Sequence, residues 1–341
     1  TLVVVGLGVV GGVGGTTVTR TAAARTSPSL PAPTQATLGP PTASASRATD
    51  APTPGPRDSR TRLAKERRKA ARAAATARRH REQKPAPTPP PTTTFRISSF
   101  NLLGASHTAP GGNKHGWAPA ARRMRGAVAK LTQHDVSVAG LQEFQVPQYH
   151  ALRALTGGRY GVYPGASAGR AAVQNSIIWR TSDWQLAQAG TVPIPYFHGR
   201  RVPMPYVLLT NRHTGQAVWF ANFHNPADVR GPAQRFRDVA TSMETALFRR
   251  LGAGGTPVLV TGDMNERGDY ACRLTAGVAM HSANGAYRDG SGCHLPARMN
   301  VDWIFGSPAV SFLSFVADRD AVVRRTTDHP MVVATAEIHP G

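Results

Sequence analysis

The feature that most constrains this 341-residue chain is an abrupt change of texture at Phe95. Upstream, residues 26–56 are rich in Pro, Thr, Ser and Ala, and residues 85–94 carry Pro89-Pro90-Pro91. Neither stretch can bury enough apolar surface to offset the entropy of ordering it. Downstream, polar and apolar residues alternate or form short apolar blocks, the pattern of strands. Only residues 95–341 can therefore build a core, which bounds the folded part to one domain of about 245 residues.

The upstream part divides by composition. Residues 1–19 carry no charge, residues 2–13 are rich in Val and Gly, and Ala22-Ala23-Ala24 follows. Residues 1–25 thus read as a hydrophobic export signal or a membrane anchor, with an extracellular location or attachment to the outer face of the membrane expected either way. Residues 26–94 read as a Pro/Thr-rich and basic linker. Within it, residues 58–84 are rich in Ala and Arg and predict a solvated helix whose one large aliphatic residue is Leu63. The formal net charge of +21 is spread over the chain, about +9 of it in residues 57–84 and about +10 in residues 95–341. A domain this positive attracts polyanions, with phosphate backbones or anionic surfaces as partners. The two cysteines, Cys272 and Cys293, have no zinc-site spacing, and a bridge between them would staple a single excursion of the chain.

Chemistry-bearing residues recur at strand exits. Residues 258–260 predict a short buried strand that empties into Gly262-Asp263-Met264-Asn265, placing a carboxylate and a carboxamide two residues apart on a rigid edge. Gly, Asp and Asn are also ordinary turn formers, so this stretch alone decides nothing. Residues 95–103 predict a strand with Asn101 at its exit, followed by a loop containing Gly and His. A helix is expected over 117–132, with Ala121, Met124, Val128 and Leu131 at helical spacing. Residues 136–143 predict a strand ending in Glu143, an acid that is costly to bury unless paired or metal-bound. Residues 173–180 predict a further strand. Residues 205–212 and 217–224 predict a hairpin that turns at Thr214-Gly215-Gln216 and ends at His224. Residues 232–251 predict an amphipathic helix with Phe236, Val239, Met243, Ala246 and Leu247 inward. Asp302 falls inside a strand over 300–305, and Asp328-His329 precedes a closing strand over 331–338.

Six such coincidences in one domain are not independent accidents. Ser99-Phe100-Asn101, Leu141-Gln142-Glu143, Asn222-Phe223-His224, Gly262-Asp263-Met264-Asn265, Val301-Asp302-Trp303-Ile304-Phe305 and Thr327-Asp328-His329-Pro330 resemble, in order, the motifs of the endonuclease/exonuclease/phosphatase superfamily. The resemblance spans Phe95 to the C-terminus and implies a deoxyribonuclease I-like fold, a four-layer α/β sandwich of two packed mixed sheets flanked by helices. It implies Glu143 as the main ligand of Mg²⁺ (Mn²⁺ or Ca²⁺ as substitutes), with Asn101 and Asp328 near the same ion. Asp263 is similar to the residue that orients or deprotonates the attacking water, with Asn265 helping to hold it. His329 is similar to the histidine that contacts the scissile phosphate, kept basic by Asp302, and His224 to a second histidine. No acid lies between Glu143 and Asp183 to pair with His224, as one does in deoxyribonuclease I, so His224 is expected to serve binding. The cysteine pair resembles the disulfide-bearing excursion of that enzyme.

The expectation is an exported, monomeric, metal-dependent phosphodiesterase with nucleic acid as substrate. One rival keeps the chemistry and takes a phospholipid such as sphingomyelin, with residues 192–197 as an apolar wedge and residues 1–19 in the membrane. A rival of another class is a non-catalytic cell-surface module that binds polyanions.

Overall fold

The computed structural model describes residues 56–82 and 91–339. The hydrophobic segment 1–25 and the linker stretches 26–55 and 83–90 lie outside the described residues. Helix α1 (Pro56–Glu82) falls in a unit of its own, and its side chains from 60 to 79 are exposed throughout. Its start is shifted two residues from the expected 58. Among the described residues, no helix is long and apolar enough to cross a membrane.

The second unit begins with β1 (Thr93–Asn101), α2 (Ala105–Thr108), α3 (Ala120–Gln133), β2 (Val136–Gln142) and α4 (Val146–Thr156). There follow β3 (Tyr160–Tyr163), α5 (Arg170–Val173), β4 (Ile177–Arg180), β5 (Trp184–Pro195), β6 (Arg201–Asn211) and β7 (Ala217–His224). Next come α6 (Gln234–Gly252), β8 (Val258–Asp263), α7 (Gly268–Gly277), β9 (His281–Ser282), β10 (Tyr287–Asp289) and β11 (Gly292–His294). The chain closes with β12 (Asp302–Gly306), β13 (Val310–Asp318), α8 (Ala321–Thr326) and β14 (Met331–Ile338).

Two six-stranded mixed sheets result, in the orders β13-β14-β1-β2-β4-β3 and β5-β6-β7-β8-β12-β9. Each has a single parallel pair at its centre, β1 with β2 in one and β7 with β8 in the other, and antiparallel neighbours outside. Ile97, Val138, Ile177, Val207, Phe220, Leu259, Ile304 and Val332 fill the space between the sheets. α3, α4 and α8 cover the first sheet over Phe100, Leu131, Leu141 and Val333, and α6 and α7 cover the second over Phe223, Phe248, Val260 and Phe305. Helix, sheet, sheet and helix make the four layers that the motif resemblance implied. Strands buried on both faces, such as β2 and β8, are why their sequences read as continuous apolar runs.

The sheets are also joined by polar groups. Asn222 on β7 donates to the Leu141 and Ser176 carbonyls of the opposite sheet at 2.9 and 3.2 Å, and accepts from Gln142 Nε2 at 2.6 Å and Thr261 Oγ1 at 3.1 Å. Close approach here requires Gly140, because a Cβ at that position would stand 1.9 Å from Thr261 Oγ1 and 2.3 Å from Asn222 Oδ1.

Three local expectations are corrected. The expected strand 173–180 breaks into α5 and β4, with a buried polar turn at Asn175 and Ser176, the latter's hydroxyl bonded to the Val173 carbonyl. On α6 the inward face is rotated. Val239 is exposed while Arg237, Ala240, Glu244, Leu247 and Phe248 are buried, because Glu244 meets the Tyr270 hydroxyl at 2.8 Å and Arg237 pairs with Asp228. On α3, Ala121 is exposed, and Arg123 and Lys130 join Met124 and Leu131 inside. Cys272 on α7 and Cys293 on β11 form a disulfide.

Lys130, 1% exposed, is paired with Asp318 and Asp320, and His134 Nε2 lies 2.7 Å from Asp318. Burial penalises the Asp318 carboxylate, but bonds from Lys130 and His134 outweigh it and hold its pKa at about 2 against an ordinary 3.8. A depressed acid contributes stability that is full above about pH 4 and lost as pH falls through about 2. Asp318→Asn is expected to lower unfolding free energy at pH 7 by about 2 kcal/mol. The loss should vanish near pH 2, as read from urea midpoints against pH.

Candidate active site

The sequence motifs converge because of strand polarity. Asn101 and Glu143 stand at the carboxyl ends of the parallel pair β1 and β2, and His224 and Asp263 at those of β7 and β8. The antiparallel neighbours β12 and β14 begin at the same edge, bringing Asp302 opposite Asp263 and placing Asp328 and His329 just before Met331. Glu143, His224, Asp263, Asn265, Asp328 and His329 all line one cleft of about 980 Å³.

Four side-chain-bearing residues of the cleft adopt left-handed backbone: Leu103 (φ 50°), Glu143 (φ 54°), His198 (φ 57°) and Asn265 (φ 50°). Strain of this kind costs on the order of 1 kcal/mol each and persists only where packing imposes it. Arg123 supplies part of that packing. Its guanidinium is buried and bonds the carbonyls of Leu102, Leu103 and Thr326, tying the β1 exit to the segment that carries Asp328 and His329.

Asp263 is nearly inaccessible. Its Oδ1 accepts from the Asn265 backbone N–H at 3.0 Å and its Oδ2 from Asn101 Nδ2 at 3.0 Å. His224 Nε2 and His329 Nε2 lie 3.6 and 3.7 Å from Oδ2. The partner that the sequence did not provide for His224 is therefore Asp263 itself. Asn265 holds Asp263 through its backbone, while its side chain donates to the Asn225 carbonyl at 2.8 Å.

His329 Nδ1 faces both oxygens of the buried Asp302 at 3.1 Å. Burial works against its charge, but Asp302 and then Asp263 win and push its pKa up to about 10. Ligand atoms of Asp263, Asp302 and His329 lie within 4.8 Å of one another, close enough by distance to share a cation. An imidazolium bonded to Asp302 has no lone pair to give, so the three are better described as a hydrogen-bonded Asp302–His329 pair whose Nε2 faces Asp263 at 3.7 Å.

Glu143 is the other kind of acid. Burial opposes its ionisation, yet the bond from His107, the field of His224 and the N–H groups of Gly104 and Asn101 hold it well below the usual carboxylate range. Gly104 N donates to Oε2 at 2.7 Å and Asn101 Nδ2 to Oε1 at 3.1 Å. Asn101 thus bridges Glu143 and Asp263, while its own oxygen accepts from Leu103 N at 3.0 Å. Asp328 is paired with Lys114 at 2.7 Å. Two hard-oxygen carboxylates at a cleft edge, each paired with a basic group of the segment after Asn101, fit a Mg²⁺-like ion by donor chemistry.

The sequence profile of the endonuclease/exonuclease/phosphatase family matches residues 98–329. The chain belongs to this family. It is accordingly a hydrolase acting on phosphoester bonds, in a family generally dependent on divalent metals. No curated protein sequence gives a significant match. Among solved structures, a family member from Bacteroides thetaiotaomicron is 18% identical, covering 74% of this chain and 100% of its own at a TM-score of 0.57. A mannosyl-6-phosphatase from the same species is 18% identical, with 71% and 99% covered and a TM-score of 0.52. TDP2 from D. rerio, solved with a single-strand DNA product, is 17% identical, with 72% and 99% covered and a TM-score of 0.50. At these identities the likeness is one of fold.

The sequence reading missed His107, Lys114 and Arg123. The first two lie in the Gly- and His-containing loop after Asn101, where no periodicity marks a position. The one signal for Arg123 is its place beside Met124 on the inward stripe of α3.

Proposed function

We propose that the chain is a divalent-metal-dependent phosphodiesterase whose substrate is nucleic acid. The observation carrying this is that an ionised Glu143, Asp263 and His329, the last backed by the buried Asp302, share one cleft. Lys114, His198, Arg200, Arg230 and Phe197 also line it, Arg230 lying over the Phe197 ring at 5.4 Å. Cations with an interleaved aromatic suit a phosphate backbone and its bases. Residues 192–197 weaken the phospholipid rival: Ile194 is fully buried, with Val192 and Tyr196 packed against the same core, so no apolar wedge is presented.

A metal held by Glu143 and Asp328, Mg²⁺ by preference, would supply neutralisation of phosphoryl charge. The protein's own groups do the rest. Asp263, fixed at both oxygens, accepts a proton from the attacking water. His329, charged near neutral pH and oriented by Asp302, gives an N–H to a phosphoryl oxygen; a group this basic is a better fixed cation than proton donor. His224, whose nearest acid is Asp263, stands beside the same centre to bind the departing oxygen. Export is supported by the Cys272–Cys293 disulfide, which persists in an oxidising compartment.

The full chain with Mg²⁺ or Mn²⁺ is expected to cleave plasmid DNA or single-stranded oligonucleotides. It should do so at least about tenfold more efficiently than it releases phosphocholine from sphingomyelin or phosphate from sugar monoesters. Faster turnover of either rival substrate would overturn the assignment.

A further inference from the structure

His107 is a residue to which the family motifs assign nothing. Its Nδ1 lies 2.7 Å from Asn113 Oδ1, and its Nε2 lies 3.1 Å from Glu143 Oε2. An amide oxygen only accepts, so Asn113 fixes the proton on Nδ1 and leaves Nε2 aimed at the carboxylate. A tautomer locked from behind by an oxygen, with the other nitrogen directed at an acid, is the arrangement that orients imidazole ligands of metal ions. The spacing agrees: neighbouring donors on an octahedral ion with bonds of ~2.1 Å stand ~3.0 Å apart. The ring is part-exposed at 37%, on the one-turn helix α2 at the cleft edge, so its side chain can swing by the small amount that ligation requires.

We propose that His107 is a nitrogen ligand of the ion held by Glu143. The site is then a mixed imidazole and carboxylate site, and because Mn²⁺ accepts a nitrogen donor more readily than Mg²⁺ does, it favours Mn²⁺ over Mg²⁺ more than an all-oxygen site would. In the free protein the ring carries a proton on each nitrogen and donates through Nε2 to Glu143; ligation releases the Nε2 proton to solvent and frees that lone pair for the ion. The His107 ring therefore changes partner from carboxylate to metal without leaving the site. This rests on the reading of Glu143 as a metal ligand.

The test uses Mn²⁺ as the probe with the full chain, reading affinity by titration calorimetry and nitrogen ligation by pulsed EPR. Wild type should show ¹⁴N modulation on the bound Mn²⁺. His107→Ala and His107→Gln should lose that modulation and bind Mn²⁺ at least about tenfold more weakly. Mg²⁺ affinity should move less than Mn²⁺ affinity. His224→Ala should keep the modulation, and circular dichroism should show all variants folded. Modulation that persists in both His107 variants, or that vanishes in His224→Ala instead, would overturn the assignment of His107. Undiminished Mn²⁺ binding by Glu143→Gln would overturn the underlying reading of Glu143.

Discussion

Asp263→Asn is expected to lower kcat by about 10³-fold with KM little changed, since removing a positioned base typically costs 10²–10⁴-fold. The fold should survive. Asp263 closes β8 and pairs across to Asp302 and His224 through backbone bonds that the substitution leaves intact. The new amide nitrogen must, however, face either Asn101 Nδ2 or the Asn265 backbone N–H, both donors, at a cost of roughly 1–3 kcal/mol. A urea melt therefore accompanies the kinetics. A protein that melts outright at room temperature would show that Asp263 anchors a turn and little else. Mn²⁺ affinity separates two descriptions of the site. It stays near wild type if the ion belongs to Glu143, and collapses if Asp263, Asp302 and His329 form the cation site.

The second large effect is expected at His329. His329→Gln removes the fixed charge over the phosphoryl group and should lower kcat/KM by 10²–10³-fold, about 3–4 kcal/mol of transition-state stabilisation. Asp302→Asn tests the cause. A raised histidine pKa means that the charged form prevails below about 10 and is lost as pH rises through it. Without the Asp302 charge, the alkaline fall in rate should move down toward the ordinary histidine value of 6.5. An alkaline limb unmoved in Asp302→Asn would mean that His329 is not the charge being read.

Much of this site was legible in sequence because its parts sit at strand ends, where a buried apolar run fixes the position of the next polar residue. Val258 to Asp263, Val136 to Glu143 and the closing strand at Met331 show this directly. What escaped was held by long-range polar contact. α6 turned the other way because Glu244 and Arg237 find partners on α7 and the preceding loop, and hydrophobic periodicity cannot register such partners. His107 and Lys114 escaped for a related reason: their meaning comes from Glu143 and Asp328, far away in sequence. The bonds by which Asn101 bridges Glu143 and Asp263 likewise join residues far apart in sequence, which only coordinates could reveal.

Gly140 has a bearing on function that its position behind the site conceals. Glu143 is carried by one sheet and Asp263 by the other, so the distance between these two carboxylates is set by the spacing of the two sheets themselves. Asn222 acts as the rivet that sets this spacing, and the missing side chain at Gly140 is the clearance that lets the rivet close. A single methyl group there would work as a shim, prising the jaws apart at their root while every reacting residue kept its identity.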